Sequence, residues 1–346
     1  MRMINLRTWS IALLALGLCL TRTNLHAADK PITLKLGTLA PANTSYHKNL
    51  QAMGESWKKA SDGAVKLIIY PNGTLGGESD MVQLMQTHSL DAGLLTSVGL
   101  AEIDRDVFAL QSMPMAFRSL DEVDYVGEHL RPQLEKLMLA KGYLVLFWSD
   151  SGWIRFFTRT PVLHPDDLRK LKIFSWAGNA QQYDLWKSVG FSPVALETAG
   201  IPTGLMSKTI DAVPMPPFFA LAGQLDTQAK YMLELNWAPL VGAAVVRKDA
   251  WDRVPAAARE AMLKIAAEAG KQVKAAGRAE SDAAVTAMVK RGLTVQKVTP
   301  EVAEEWHAMI EKIQGQIRGK IVPPDVFDES QRLIKEYRSS GAAAGK

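Results

Sequence analysis

The sequence predicts an α/β fold with a parallel sheet, and three features carry that expectation. Apolar runs alternate with helical patterns through the first third of the chain. A length of 346 residues leaves room for two domains with cores of their own. The stretch 143–178 sets short aromatic-rich runs between Gly, Pro and Asp, which is how strands and their turns read.

Residues 32–39 alternate and are apolar, a strand pattern that Ala40 and Pro41 close. Asn43, Thr44 and Ser45 can cap the helix that follows, where Leu50, Met53 and Trp57 recur at helical spacing. A second strand at 65–70 ends in Pro-Asn-Gly, Gly76-Gly77 opens a helix through Met81, Leu84 and Met85, and 90–96 reads as a third strand. This β-α-β-α-β order implies parallel pairing with right-handed crossovers, and ligands in such sheets sit beyond the strands' carboxyl ends. Those ends fall at 38–45 and 96–99, which makes Thr44, Ser45 and Thr96 candidate ligand contacts.

Further along, 120–139 is helical, 143–148 and 153–158 read as two strands, and 171–176 as a third. A helix at 181–189, a short strand at 193–196, a short helix at 203–207 and a strand end at 211–213 come next. Residues 240–246 are strand-like, 255–291 form the longest helical pattern, and helical regions at 300–318 and 326–338 complete the chain before a Gly/Ala-rich tail, 339–346. The aromatic residues of 143–178, among them Trp148, Trp153, Phe156, Phe157, Phe174 and Trp176, have two readings. They are sheet core, or some of them line a ligand cleft.

Residues 1–28 have the pattern of a secretory signal peptide: Arg2 and Arg7, an apolar run at 9–20, then Ala27 and Ala28. A dozen apolar residues fall short of the roughly 20 that span a bilayer. Leu18 before Cys19 argues against a lipid anchor. Cleavage would remove the only cysteine, and with it thiol chemistry and disulfides, and would lower the formal net charge from +4 to about +1, leaving no nucleic-acid footprint. No metal spacing appears among the histidines, and no nucleophile-elbow, zinc-protease or P-loop pattern occurs, so neither an enzyme nor a cofactor is expected. Gly76-Gly77 reads as a plain turn, and Asp166-Asp167 as a helix N-cap.

The motifs G-T-L-A-P-A-N-T (37–44), L-I-I-Y-P-N-G-T-L-G-G (67–77), L-D-A-G-L-L-T (90–96), P-V-L-H-P-D-D-L-R-K-L-K-I (161–173) and K-T-I-D-A-V-P-M-P-P (208–217) together resemble the extracytoplasmic solute-binding proteins of TRAP transporters, the DctP-like family. The resemblance implies a two-domain periplasmic solute-binding fold, with a ligand cleft between the domains and a long backing helix. It divides the chain into domain I, 29–152 plus about 240–275, and domain II, 153–239 plus about 276–338. The implied partners are a small-molecule ligand, a TRAP-type membrane permease and, optionally, a periplasmic accessory protein.

Three positions depart from the family pattern. Where the family carries a carboxylate-binding Arg after L-K-I this chain has Phe174, and where the family has a polar Asn before Pro it has Met215. Arg155 keeps half of a third family element, with Gly152 one residue too far upstream. The expectation is therefore a largely apolar or aromatic ligand, with walls at Trp148, Trp153, Phe174, Trp176, Met215 and Phe218, and with Arg155 and Asn179 as polar contacts. The rivals are an organic-acid binder using Arg155, and a ligand-free docking protein that presents 214–219 on its surface.

Overall fold

The computed structural model describes residues 30–340; the signal-peptide region and the last six residues of the tail lie outside them. The opening strand–helix alternation forms as expected: β1 (Ile32–Thr38), α1 (Ser45–Ala60), β2 (Val65–Tyr70), α2 (Glu78–Gln86) and β3 (Ala92–Thr96), with β1 parallel to both β2 and β3. Thr44 caps α1, its side chain accepting from the His47 N–H. Two short helical segments, α3 (Ser97–Ile103) and Arg105–Ser112, lead to α4 (Leu120–Ala140), which Ser119 caps.

Two long strands then organise the molecule. β4 (Tyr143–Thr158) is continuous, so the two separate runs expected at 143–148 and 153–158 are one strand. The S-D-S-G between them resembles a turn in sequence but pairs with Val241 and Gly242, and the ladder shifts register between Asp150 and Trp153. Gly152, at φ 75°, supplies the left-handed backbone that such a bulge uses. Its partner β8 (Tyr231–Arg247) starts well before the expected 240–246. Pro239 suggests a break in sequence, yet it keeps a place in the ladder opposite Trp153, next to that same bulge.

Between them lie α5 (Pro165–Arg169), β5 (Lys172–Trp176), α6 (Ala180–Ser188), β6 (Ser192–Leu196), α7 (Ile201–Met206), β7 (Ala212–Met215) and α8 (Pro217–Ala222). Asp166 and Asp167 belong to the first turn of α5 rather than its cap; Asp167 reaches back to accept from the His164 N–H. The strands form one sheet in the order β2-β1-β3-β8-β4-β7-β5-β6, and β9 (Thr294–Gln296) joins β8.

After the short α9 (Lys248–Asp252), α10 (Ala256–Lys290) is the long backing helix. Its Ala-rich sequence favours helix at every turn. Gly270 and Gly277 open its inner face, where a Cβ on Gly270 would stand 2.5 Å from Phe147 Cβ and one on Gly277 would strike Tyr46 Oη. Arg278 clasps the middle of the fold. Its Nε and Nη2 donate to Asp150 at 2.9 and 2.6 Å, and its Nη1 and Nη2 donate to Asp124 of α4 at 2.9 and 2.6 Å. The last helix, Pro324–Ser339, docks on α4 through Arg338, whose guanidinium holds the buried Glu122.

Candidate ligand cleft

A cavity of about 60 Å³ lies beyond the carboxyl ends of β1 and β3, where a parallel sheet leaves room for ligand. Thr38, Leu39 and Ala40 leave β1 along one wall, and Leu94, Leu95 and Thr96 end β3 along the next. The bulged centre of β4 (Ser149, Asp150, Ser151) and Leu240–Gly242 of β8 form the floor. Tyr46, Glu78 and Phe219 enter from α1, α2 and α8. The rings of Tyr46, Phe218 and Phe219 pack together, with centroids 5.0–5.7 Å apart.

Glu78 is buried at this cavity. Its Oε1 accepts from the Thr96 N–H at 2.7 Å, and its Oε2 from Thr96 Oγ1 at 2.6 Å and the Gly99 N–H at 2.8 Å. Burial pushes its pKa above the ordinary glutamate value, against the pull of those donors. Burial likewise raises the Tyr46 phenol; its hydroxyl lies 2.5 Å from Ser151 Oγ and 3.2 Å from the Asp150 carbonyl oxygen. Ser149 Oγ is buried without a hydrogen-bond partner.

The mouth is drawn together by small residues. Gly76, at φ 99°, and Gly77 start α2, and the Gly77 N–H donates to Asp80 of the same helix at 2.9 Å, so this turn serves its own cap. Across the cleft stand Gly178, where a Cβ would lie 2.8 Å from Ser79 Oγ, and Glu197, whose carboxylate occupies the space a Gly77 side chain would take. Burial and the neighbouring Asp80 charge raise the Glu197 pKa.

Of the residues singled out in the sequence, only Thr96 lines this cavity; Phe218 supports it from behind, stacked on Tyr46. Ser45 donates instead to Glu280 of α10 at 2.7 Å. Trp148 lines a separate cavity between α4 and α10, with its indole N–H on Glu135. Trp153 and Arg155 share a third, of about 360 Å³, against Arg278 and Asp282. Arg155 there donates to Asn236 at 3.4 Å, while its Nε is buried and unpaired. Phe174, Trp176 and Met215 sit on adjacent strands and are buried in the core, the first two edge to face at 5.1 Å, and none lines the cleft cavity or the Arg155 pocket. Phe156 and Phe157 are core. Asn179 caps α6 beside the mouth, leaving its buried Nδ2 unpaired.

Sequence reasoning passed over Tyr46, Glu78 and Ser149, and took Phe219 only as part of the apolar segment 214–219. Glu78 carried a signal, an acid directly after Gly-Gly at a helix start facing the strand ends, but an acid in a first turn is ordinarily a dipole partner.

An α/β sheet whose two longest strands run through its middle, with a small cavity where they pass the other strands' carboxyl ends, defines a cleft-type ligand-binding protein. The chain belongs to the bacterial extracellular solute-binding protein family 7, the DctP family, whose profile matches residues 36–318. These proteins are solute receptors, not enzymes. The chain is 25% identical over 299 residues to the C4-dicarboxylate-binding periplasmic protein DctP of Rhodobacter capsulatus, covering 85% of this chain and 89% of that one. It is 27% identical over 274 residues to the 2,3-diketo-L-gulonate-binding periplasmic protein YiaO of Escherichia coli, covering 77% and 80%. Its fold matches the sugar acid binding protein DctPAm of Advenella mimigardefordensis, in complex with galactonate, with a TM-score of 0.83 at 18% identity, covering 89% and 99%. Among the described residues no helix is long and apolar enough to cross a membrane.

Proposed function

We propose that this protein is exported by residues 1–28 and acts in the periplasm as the receptor of a TRAP-type transport system. It would take up a small, largely apolar molecule by closing its cleft and pass it to a membrane permease. The two lobes would be 29–152 with about 240–275, and 153–239 with about 276–338, flexing where β4, β8 and α10 cross between them. The observation that carries the ligand class is the cavity wall. Leu39, Ala40, Leu94, Leu95, Leu240, Val241 and Phe219 supply most of it, and among the described residues no Lys, Arg or His lines it. The residues of 214–219, exposed in a docking protein, are buried except for the partly buried Phe219, which favours ligand capture.

A second reading follows from the relatives, whose stated ligands are acids. An organic acid would then be held by Arg155, from the pocket that this residue shares with Trp153. Native mass spectrometry of protein taken from its own periplasm, followed by denaturing extraction, separates the two. The expected result is a small apolar molecule that stays bound in Arg155→Ala and is lost in Phe219→Ala. An organic acid lost on Arg155→Ala would overturn the apolar reading.

A further inference from the structure

A second polar space lies in the interior. It measures about 20 Å³, with the segment Arg105–Ser112 on one side and α6, β4, β7 and β8 on the other, and every residue that lines it is buried. Three polar atoms of its lining residues have no partner in the protein: Gln111 Nε2, Ser112 Oγ and Trp186 Nε1. All three residues are more than nine-tenths buried. The Ser97 hydroxyl holds Gln111 Oε1 at 2.7 Å, which leaves the amide nitrogen as the free end. The rings of Phe156, Phe191 and Trp237 fix the Trp186 indole, with centroids 5.3–6.0 Å away. Gln182, the other polar side chain on the wall, already uses its oxygen on Ser175 Oγ and the Trp176 N–H, each at 3.2 Å.

A buried donor without an acceptor forgoes the bond it would make in water, so such groups are matched in nearly every fold. Trp186 Nε1 and Gln111 Nε2 can only donate, whereas Ser112 Oγ donates or accepts. The occupant that suits them accepts two hydrogen bonds and shares a third. Water does this; an internal water usually has three partners and needs roughly 10–15 Å³. An anion would accept as well. Among the described residues, however, no Lys, Arg or His lines the cavity, so a buried negative charge there would go uncompensated.

We propose that this cavity binds one water as a fixed part of the fold, bridging Trp186 Nε1, Gln111 Nε2 and Ser112 Oγ, and that this water links the two lobes. Gln111 and Ser112 belong to the first lobe as drawn above, and Trp186 to the second. The site is therefore complete only with the lobes together. From Gln111 the bonds continue to Ser97, the neighbour of Thr96 on the cleft wall. The link between lobes rests on the lobe division proposed above; the water itself does not.

Nuclear magnetic resonance of the nitrogen-15-labelled protein reads the site through the Trp186 indole N–H, identified as the indole signal missing from Trp186→Phe. That proton is expected to show an Overhauser contact with water, of the sign that only a long-lived water gives. Ser112→Val, whose methyls crowd the cavity, should abolish the contact and lower the melting temperature, because Trp186 and Gln111 are then left unpaired. Crystals supply the second arm. With the cleft closed, one density peak should lie within hydrogen-bond reach of all three atoms; with the cleft open, Ser112 and Trp186 should part and the peak should vanish. An indole proton without a water contact, together with no peak in the closed form, would overturn the proposal. Chloride at the site, seen by its anomalous signal, would overturn the neutral occupant. A peak that survives opening would keep the water, overturn its role between the lobes, and leave the solute-receptor reading standing.

Discussion

Arg278→Ala should destabilise the protein by about 3–5 kcal/mol, the usual consequence of stranding a buried charge. The cause is Asp150, whose side chain is 4% exposed and is paired with Arg278. Asp124, at 34% exposed, adds less because water screens it. The clasp joins α4, β4 and α10, three elements far apart in sequence, so its loss should appear as a lower urea midpoint with little change in slope. A pH signature accompanies it. Burial raises the Asp124 pKa, but hydrogen bonds and charge from Arg278 and then Lys274 outweigh it, and the net shift is downward. A carboxylate lowered in the fold contributes stability above its unfolded value of about 3.9, and loses it as pH falls through the folded value. The wild type should therefore lose stability more steeply below that pH than Arg278→Ala does. Parallel acid limbs for the two proteins, or a loss under about 1 kcal/mol at neutral pH, would show that the clasp does not hold these elements together.

The parts of the fold that were legible in sequence are those where periodicity and punctuation agree. Residues 32–96 alternate cleanly, with Pro41 and Gly73 at the breaks, and they folded as read. Reading failed where one long strand carries turn-like residues. Ser149–Gly152 and Pro239 look like breaks because most strands cannot hold them, but here Ser149 and Asp150 pair with Gly242 and Val241, Pro239 pairs with Trp153, and the register shift between Asp150 and Trp153 takes up the irregularity. The missed site residues share that origin. Ser149 and Asp150 belong to the apparent turn, and Glu78 resembles a helix-dipole acid, so their approach to one cavity depends on sheet order and not on local pattern. The aromatic residues had two readings in sequence, core or cleft wall; Phe156 and Phe157, and with them Phe174 and Trp176, are buried in the sheet's core. In the structure, Arg155 lines the pocket beside Arg278 and Asp282 and not the cleft cavity.

Gly242→Ala is expected to be the most damaging single methyl in the molecule. Gly242 pairs with Thr96 of β3 on one side and with Ser149 of β4 on the other, at the floor of the cavity. An added Cβ would run into the Leu95 carbonyl oxygen and stand 3.1 Å from Thr96 Cα. Both are backbone atoms, so no rotamer change relieves the clash; either β3 moves away from β8 or β8 bends. Overpacking a rigid site costs about 1–3 kcal/mol, and a collision with backbone belongs at the upper end. The displaced strand also carries Thr96, which holds both oxygens of Glu78, so loss of stability and loss of ligand should arrive together. Alanine at Gly63 is the matched control, since a Cβ there meets nothing within 4 Å; its φ of 82° makes the strain purely local. The expected outcome is that Gly242→Ala lowers the melting temperature and abolishes ligand binding, whereas Gly63→Ala lowers the melting temperature less and binds normally. If Gly242→Ala bound ligand with wild-type affinity, the close approach of β3 to β8 would not be what shapes the cavity.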